Sequence, residues 1–186
     1  MKTRDVVIYT GKRFEVPQGI QRIDSYATHG WQLRYGGTKL YSDGAGNPKG
    51  AHEALAQATA ELLKRIARLP APSLLQAEPN QNKTTDMPVG ISGPVVRKRS
   101  GSTLLESSLL VLVPRVGKTP LRRTVYIGTE NTYTEERYVA ALAKCIKLRE
   151  SAEKTYRREA TTAKRAAGLA LAAKQAKRAA KTTSKA

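Results

Sequence analysis

Between residues 17 and 70 the apolar positions change period once. Gly19 to Asp24, Trp31 to Tyr35 and Thr38 to Ser42 are short runs rich in aromatic and branched residues, separated by Thr28-His29-Gly30 and Gly36-Gly37. They predict three strands. The glycine pair suits a tight hairpin, because both central residues of a type I′ turn need positive φ. Asn47-Pro48 then supplies an N-cap and a proline at the first helical position. From there to about Leu69 the period is helical: Ala51, Leu55, Ala58, Leu62, Ile66 and Leu69 recur every three or four residues, giving one apolar face to lay on a sheet. Ahead of these runs, Val6 to Tyr9 and Phe14 to Val16, across Thr10-Gly11-Lys12-Arg13, fit a short N-terminal hairpin.

The same order returns further along. Val95 to Arg99, Leu104 to Val113 and Arg122 to Gly128 predict strands, and a helix begins near Tyr133. Thr132 and Glu135 form a capping box for it, and Tyr138, Leu142, Cys145 and Leu148 make its inner stripe. Pro17-Gln18-Gly19-Ile20 and Pro88-Val89-Gly90-Ile91 open the two stretches, 71 positions apart and alike in three of four residue types. So short a match gains weight from the matching order of elements that follows it. Between the stretches, Leu69 to Met87 carries prolines at 70, 72 and 79 and reads as a linker.

The predicted fold is therefore α+β: two small units, each a three-stranded antiparallel sheet packed on one C-terminal amphipathic helix, plus a basic helical or disordered tail. Residues 1–69 form the first unit with its hairpin, 70–87 the linker, 88–150 the second unit and 151–186 the tail. Units of about 60 residues lie near the lower size at which a domain folds unaided. With one Phe and one Trp in 186 residues, small cores are expected.

Charge changes the picture most. Lys and Arg number 33 against 15 Asp and Glu, a formal net charge of +18, so a polyanion is the natural partner. From Ser151 onward ten basic residues, among them Lys164, Arg165, Lys174, Lys177 and Arg178, face only Glu153 and Glu159. Alanine and lysine favour helix, but without an apolar stripe such a helix has nothing to pack on. A continuation of the second helix that frays past Gly168, ordered mainly when bound, is the expectation. Anionic membrane is the rival partner, yet no apolar run reaches the roughly 18 residues that span a bilayer, and Met1 to Phe14 lacks the apolar core of a signal peptide. The expected location is the cytoplasm.

Catalytic and metal chemistry find little footing. Cys145 is the one cysteine, and no histidine lies in its unit to activate it, so it reads as a small core residue. It cannot form an internal disulfide, which fits a reducing compartment. His29 and His52 with one cysteine do not make a tetrahedral zinc set without recruiting carboxylates. Gly117-Lys118-Thr119 resembles the end of a phosphate-binding loop, but Leu112 stands where its first glycine belongs and Pro120 blocks a following helix. Asn82-Lys83-Thr84 matches a glycosylation acceptor, as chance allows in a polar linker. No enzyme activity, metal or cofactor is expected.

Three strands and a helix, with Gly-Ile at the start, resemble the Apetala-two/ethylene-response-factor DNA-binding domain. Thr124-Val125-Tyr126-Ile127-Gly128-Thr129 is similar to that family's third-strand pattern, with Tyr126 at the place of its tryptophan. Gly30-Trp31-Gln32-Leu33-Arg34-Tyr35 and Gly37-Thr38-Lys39-Leu40-Tyr41-Ser42 resemble the second and third strands of prokaryotic and phage members, such as the N-terminal arm-binding domains of integrases. The resemblance covers residues 17 to 68 and 88 to 150, followed by a histone-like basic tail and by no recombinase catalytic region. The second copy departs from the pattern at Gly93-Pro94, which suggests a bulge, and in its long turn from Pro114 to Pro120.

The resemblance implies that one sheet face enters the major groove while the other packs on the helix. Strand alternation then divides readers from core. Trp31, Leu33 and Tyr35 point one way, leaving Gln32 and Arg34 as readers. On the third strand Leu40 goes inward and Lys39 and Tyr41 outward, while Arg22 and Gln21 are further candidates on the first. In the second copy the candidates are Arg97, Arg99, Arg122 and Tyr126. Arginine suits guanine O6 and N7, glutamine suits adenine N6 and N7, and both also meet phosphate. The expected partner is double-stranded DNA, with a role in transcription regulation or nucleoid organisation. RNA, as for a ribosome-associated protein, is the alternative, and use of the tail on an acidic protein is a third reading.

Overall fold

The computed structural model describes residues 1–44, 50–79, 85–98, 101 and 103–183, without the side chains of residues 178, 179 and 181–183. It is α+β. A two-stranded sheet joins β1 (Thr3–Val7) and β2 (Arg13–Pro17), and a three-stranded sheet joins β3 (Ile20–Ser25), β4 (Thr28–Arg34) and β5 (Thr38–Ser42) in that order. Helix α1 spans Gly50–Arg68. A second three-stranded sheet follows, from β6 (Ile91–Lys98), β7 (Leu105–Val113) and β8 (Leu121–Thr129), then α2, Glu135–Thr183. All pairing is antiparallel. The chain divides into Met1–Pro72 with Thr161–Ala186, and Ser73–Ala160.

In the first unit, alternation along β4 sends Trp31, Leu33 and, just beyond the strand, Tyr35 into the core with almost no exposure. Against them lie Ala54, Ala58, Leu62 and Ile66 of α1, one turn apart on a single face. The indole N–H of Trp31 donates to the carbonyl of Ala51 at 2.7 Å. Its polar edge is thereby satisfied inside the core. Arg65 Nη1 donates to the carbonyls of Tyr35 (2.9 Å) and Gly37 (2.8 Å), tying α1 to the hairpin turn. Gly36 and Gly37 both have positive φ there, as the turn demands. A Cβ at Gly36 would lie 2.1 Å from Leu69 Cδ1, so a side chain there would also have to displace the end of Leu69. The asparagine-proline cap expected at 47 and 48 lies outside the described residues.

The N-terminal hairpin forms, with Val6 opposite Phe14, but its ladder begins at Thr3 and ends at Val7. Ile8 turns inward instead, closing the loop through its bond from the amide to Lys12 O at 3.0 Å. Pairs such as Asp5 with Glu15 and Arg4 with Val16 extend the ladder backwards through polar residues of β1, which an apolar pattern cannot announce.

Residues 151–183 continue the second helix, as the sequence predicts, but the expected fraying past Gly168 and absence of a packing surface are corrected. Helix α2 runs to Thr183, and from Thr161 it belongs to the first unit. Gly168 and Leu171 are buried, a Cβ on Gly168 would come 3.0 Å from Ile66 Cγ2, and the Ala71 amide donates to Thr161 Oγ1 at 3.1 Å. The stripe exists, but it is built of one leucine and small residues, with Gly168 leaving room for the side chains of Ile66 and Leu63. Replacing Leu171 by Ala should lower the unfolding free energy of this unit by about 2 kcal/mol. Urea unfolding followed through Trp31 fluorescence checks this, since the protein's one tryptophan reports on this unit.

The second unit repeats the opening motif structurally. Gly19 and Gly90 both have positive φ, and each is followed by an isoleucine with 2 % exposure. The carbonyls of both glycines accept a 2.8 Å bond from the end of the unit's second strand, at Arg34 and Leu112. Leu109, Val111, Val125 and Ile127 form the core with Met87, Ala141 and Cys145 of α2, joined by half-buried Tyr138, Leu142 and Ile146. Met87 is thus core and not linker. Leu148, expected on the inner stripe, is exposed, and the next turn instead brings Arg149, whose Nη1 donates to Leu112 O. The register slips between Ser92 and Val95, at the expected bulge. The helix cap is shifted: Thr134 Oγ1 accepts from the Arg137 amide at 3.2 Å, while Thr132 Oγ1 accepts from the Thr129 amide at 2.9 Å and closes the turn before it.

Candidate nucleic-acid interface

In an antiparallel pair, residues directly opposite project to the same face. In the first unit Trp31 stands opposite Arg22 and Tyr41, and Gln32 opposite Gln21 and Leu40. The face away from α1 therefore carries Gln21, Gln32, Arg34, Thr38 and Leu40. Arg34 is exposed and Gln32 half-buried, and Arg34 Nε donates to Gln32 Oε1 at 2.6 Å. That bond uses the amide oxygen and one guanidinium donor. The terminal guanidinium nitrogens and the amide N–H groups remain as a row of donors, suited to acceptors such as guanine O6 and N7 or phosphate oxygens.

Three candidates of the sequence reading lie on the other face. Tyr41 is half-buried against the core, and Lys39 holds its ammonium 5.0 Å from the Tyr41 ring centroid. Leu40, expected inward, is 42 % exposed. On this edge strand the register set by Trp31 and Tyr41 outweighs the preference of leucine for the interior. Arg22 lies 4.9 Å from the Trp31 ring centroid, and its side chain is only 6 % exposed. It donates to Asp24 at 2.7 Å and to Asp43 at 2.6 Å. It is a buried cation held by two carboxylates on the core side of the sheet, not an exposed residue of the outer face.

This network has a pH consequence. Burial works against the Asp24 carboxylate, but hydrogen bonds from Arg22 and from His29, 2.9 Å away, hold its pKa below the ordinary value. Burial also works against the Arg22 charge, yet its bonds to Asp43 and Asp24 raise its pKa further. A carboxyl with a depressed folded-state pKa contributes stability that is present above its unfolded value and is lost as pH falls through the folded one. Asp24→Asn should therefore lose less stability than the unaltered chain between neutral pH and about pH 3. Trp31 fluorescence in urea at the two pH values measures the difference. Equal losses would contradict the linkage.

In the second unit, alternation along β7 buries Ser107, Leu109 and Val111 and turns Glu106, Ser108, Leu110 and Leu112 outward. Opposite these stand Arg97, Tyr126, Thr124 and Arg122. Arg97, Arg122 and Tyr126 thus share the face away from α2, all three exposed. Glu106 directly across from Arg97 makes that corner less positive, and Leu110 and Leu112 make the centre apolar. Arg99 lies outside the described residues.

Sequence reading passed over a second basic cluster. Arg123, Arg137 and Lys144 line an open groove of about 830 Å³ between β8 and α2, floored by Val125, Ile127 and Ala141. Arg123 faces the helix side because it stands opposite Val111. Only the register reveals this.

Of the tail cations, Lys164 is half-buried with its ammonium 5.7 Å from the Tyr35 ring centroid, and burial pushes its pKa down. Lys174 pairs with Glu15 at 2.7 Å. Both have work inside the protein. Arg165 and Lys177 are exposed, and the side chain of Arg178 lies outside the described residues. Cys145 is fully buried in the core, and burial pushes its thiol pKa up.

Among the described residues no group of three or more His, Cys, Asp or Glu is placed to hold a metal ion. No described helix is long and apolar enough to cross a membrane. Compared with protein-family models, with curated proteins and with solved structures, the chain gives no match.

Proposed function

We propose that this chain is a non-enzymatic, duplex-DNA-binding protein of two Apetala-two-like modules, acting as a transcriptional regulator or a nucleoid-associated factor in the cytoplasm. One observation carries the reading. Gln32 and Arg34 stand on an exposed sheet face as a joined row of donors, while the opposite face is occupied by the α1 core. A twisted three-stranded sheet of this size fits the major groove, where base edges present acceptors to such a row. The formal charge of +18 supplies the sequence-independent attraction to phosphate. Arg97, Arg122 and Tyr126 offer the second module a comparable but more apolar face. In this reading the exposed tail cations Arg165 and Lys177 add affinity and no sequence information.

Arg34→Ala tests it. A bidentate guanine contact contributes about 1 to 3 kcal/mol of discrimination, so the variant should lose roughly tenfold or more in affinity for a duplex selected by the unaltered chain, and far less for random duplex. Electrophoretic mobility shift at one fixed salt concentration reads the effect. Equal losses on both duplexes would make Arg34 a phosphate contact and remove the base-reading role from this face.

A further inference from the structure

The N-terminal hairpin leads directly into β3, and its ladder is extended by one rung where the Gln18 amide donates to Lys2 O at 3.0 Å. Between them opens a pocket of about 390 Å³, lined by Lys2, Arg4, Gln18, Gln21 and Arg34, among others. Three basic residues from separate points in the sequence line it, and none of its lining residues is acidic. Arg4 reaches over β3 toward Ile20 O at 3.4 Å. Of the two hairpin carboxylates, Glu15 is engaged by Thr3 (2.7 Å) and Lys174 (2.7 Å), and Asp5 lies 3.9 Å from Arg13. Like charges gathered without a counterion repel one another, so such a pocket is most stable with an anion inside it. Charged and amide donors arriving from several directions suit the oxygens of a phosphate group.

We propose that this pocket takes a backbone phosphate of the same duplex whose bases lie against Gln32 and Arg34. Arg34 lines the pocket and also borders the outer face, so the two functions are contiguous. A volume of about 390 Å³ accommodates a phosphate with its sugar. The hairpin thereby acts as a clamp that fixes the register of the sheet on the duplex, a positioning role that carries no base information. The inference rests on the DNA-binding reading above.

The test is the double variant Lys2→Ala/Arg4→Ala, compared with the unaltered chain by fluorescence anisotropy over a salt series on selected and scrambled duplexes. Removal of one phosphate contact lowers the slope of log K against log salt by about one and weakens both duplexes alike, by roughly fivefold to tenfold near 0.1 M salt. Lys64→Ala/Arg68→Ala, which removes the same charge from the exposed side of α1, should leave the slope nearly unchanged. Lys2→Ala alone, at an exposed position, should give a smaller loss of the same kind, and an unaltered thermal transition shows that the fold is intact. An unchanged slope in the double variant, with the unaltered chain binding duplex, overturns the pocket and leaves the sheet reading standing. Failure of the unaltered chain to bind any duplex overturns both. Displacement of the duplex by millimolar inorganic phosphate at constant ionic strength, seen with the unaltered chain and not with the variant, would assign the pocket to a free anion and overturn the proposal.

Discussion

Trp31→Ala is expected to cost the first unit about 3 to 5 kcal/mol, a large part of the roughly 5 to 15 kcal/mol that holds a domain folded. The indole has no exposed surface. It packs edge-on to Phe14 at 5.6 Å, lies under the guanidinium of Arg22 and bonds to Ala51 O. Truncation therefore removes the contact shared by hairpin, sheet and helix, and leaves Arg22 and its two carboxylates beside a cavity. Among the described residues the other large aromatics of this core are Phe14, Tyr35 and Tyr41, each already packed in its own place, so the cavity stays unfilled. Thermal unfolding by circular dichroism should show a transition lowered by more than about 12 °C. A shift of only a few degrees, accompanied by changed sequence preference in DNA binding, would mean that the two sheet faces are assigned in reverse.

Affinity for duplex DNA is expected to collapse with salt. Each neutralised phosphate contributes about −0.9 to the slope of log K against log salt, so a footprint of roughly six contacts loses about three orders of magnitude between about 50 and about 200 mM. The exposed cations of the two modules and of the tail supply that number easily at a formal charge of +18. Lys164, Lys174 and Arg22 are not counted among them, because each is held by a protein partner. Truncation before Thr161 should lower the slope further, but it also uncovers Ile66 and Leu63, which lie against Gly168. The comparison is therefore made on the full chain with Arg165 and Lys177 replaced by Ala. A flat salt response would show that binding does not proceed through phosphate.

The legible parts of this fold were those written in local periodicity. Trp31, Leu33 and Tyr35 alternate with Gln32 and Arg34, and this alone separates core from exposed face. Proline, glycine and isoleucine at 17, 19 and 20 and again at 88, 90 and 91 mark turns whose geometry demands glycine. What failed depends on partners distant in sequence. Arg22 looks like a free surface cation until Asp43, 21 positions away, is brought beside it. Leu40 and Tyr41 exchange faces because strand pairing, and not hydrophobicity, sets the register of an edge strand. The tail's packing stripe is carried by Gly168 and Leu171, too small and too sparse to register as amphipathic. Lys2 and Arg4 were invisible as part of a site, because nothing local connects them to Arg34.

The central claim, that the protein binds duplex DNA through the outer sheet faces, is tested most directly by competition at one fixed salt concentration. Labelled duplex bound to the unaltered chain is challenged with unlabelled duplex DNA, single-stranded DNA and RNA of equal length. Duplex DNA should displace the label at the lowest concentration, and Arg34→Ala should narrow its advantage over the other two. Displacement at lower concentration by RNA, with Arg34→Ala leaving the order unchanged, would contradict the claim.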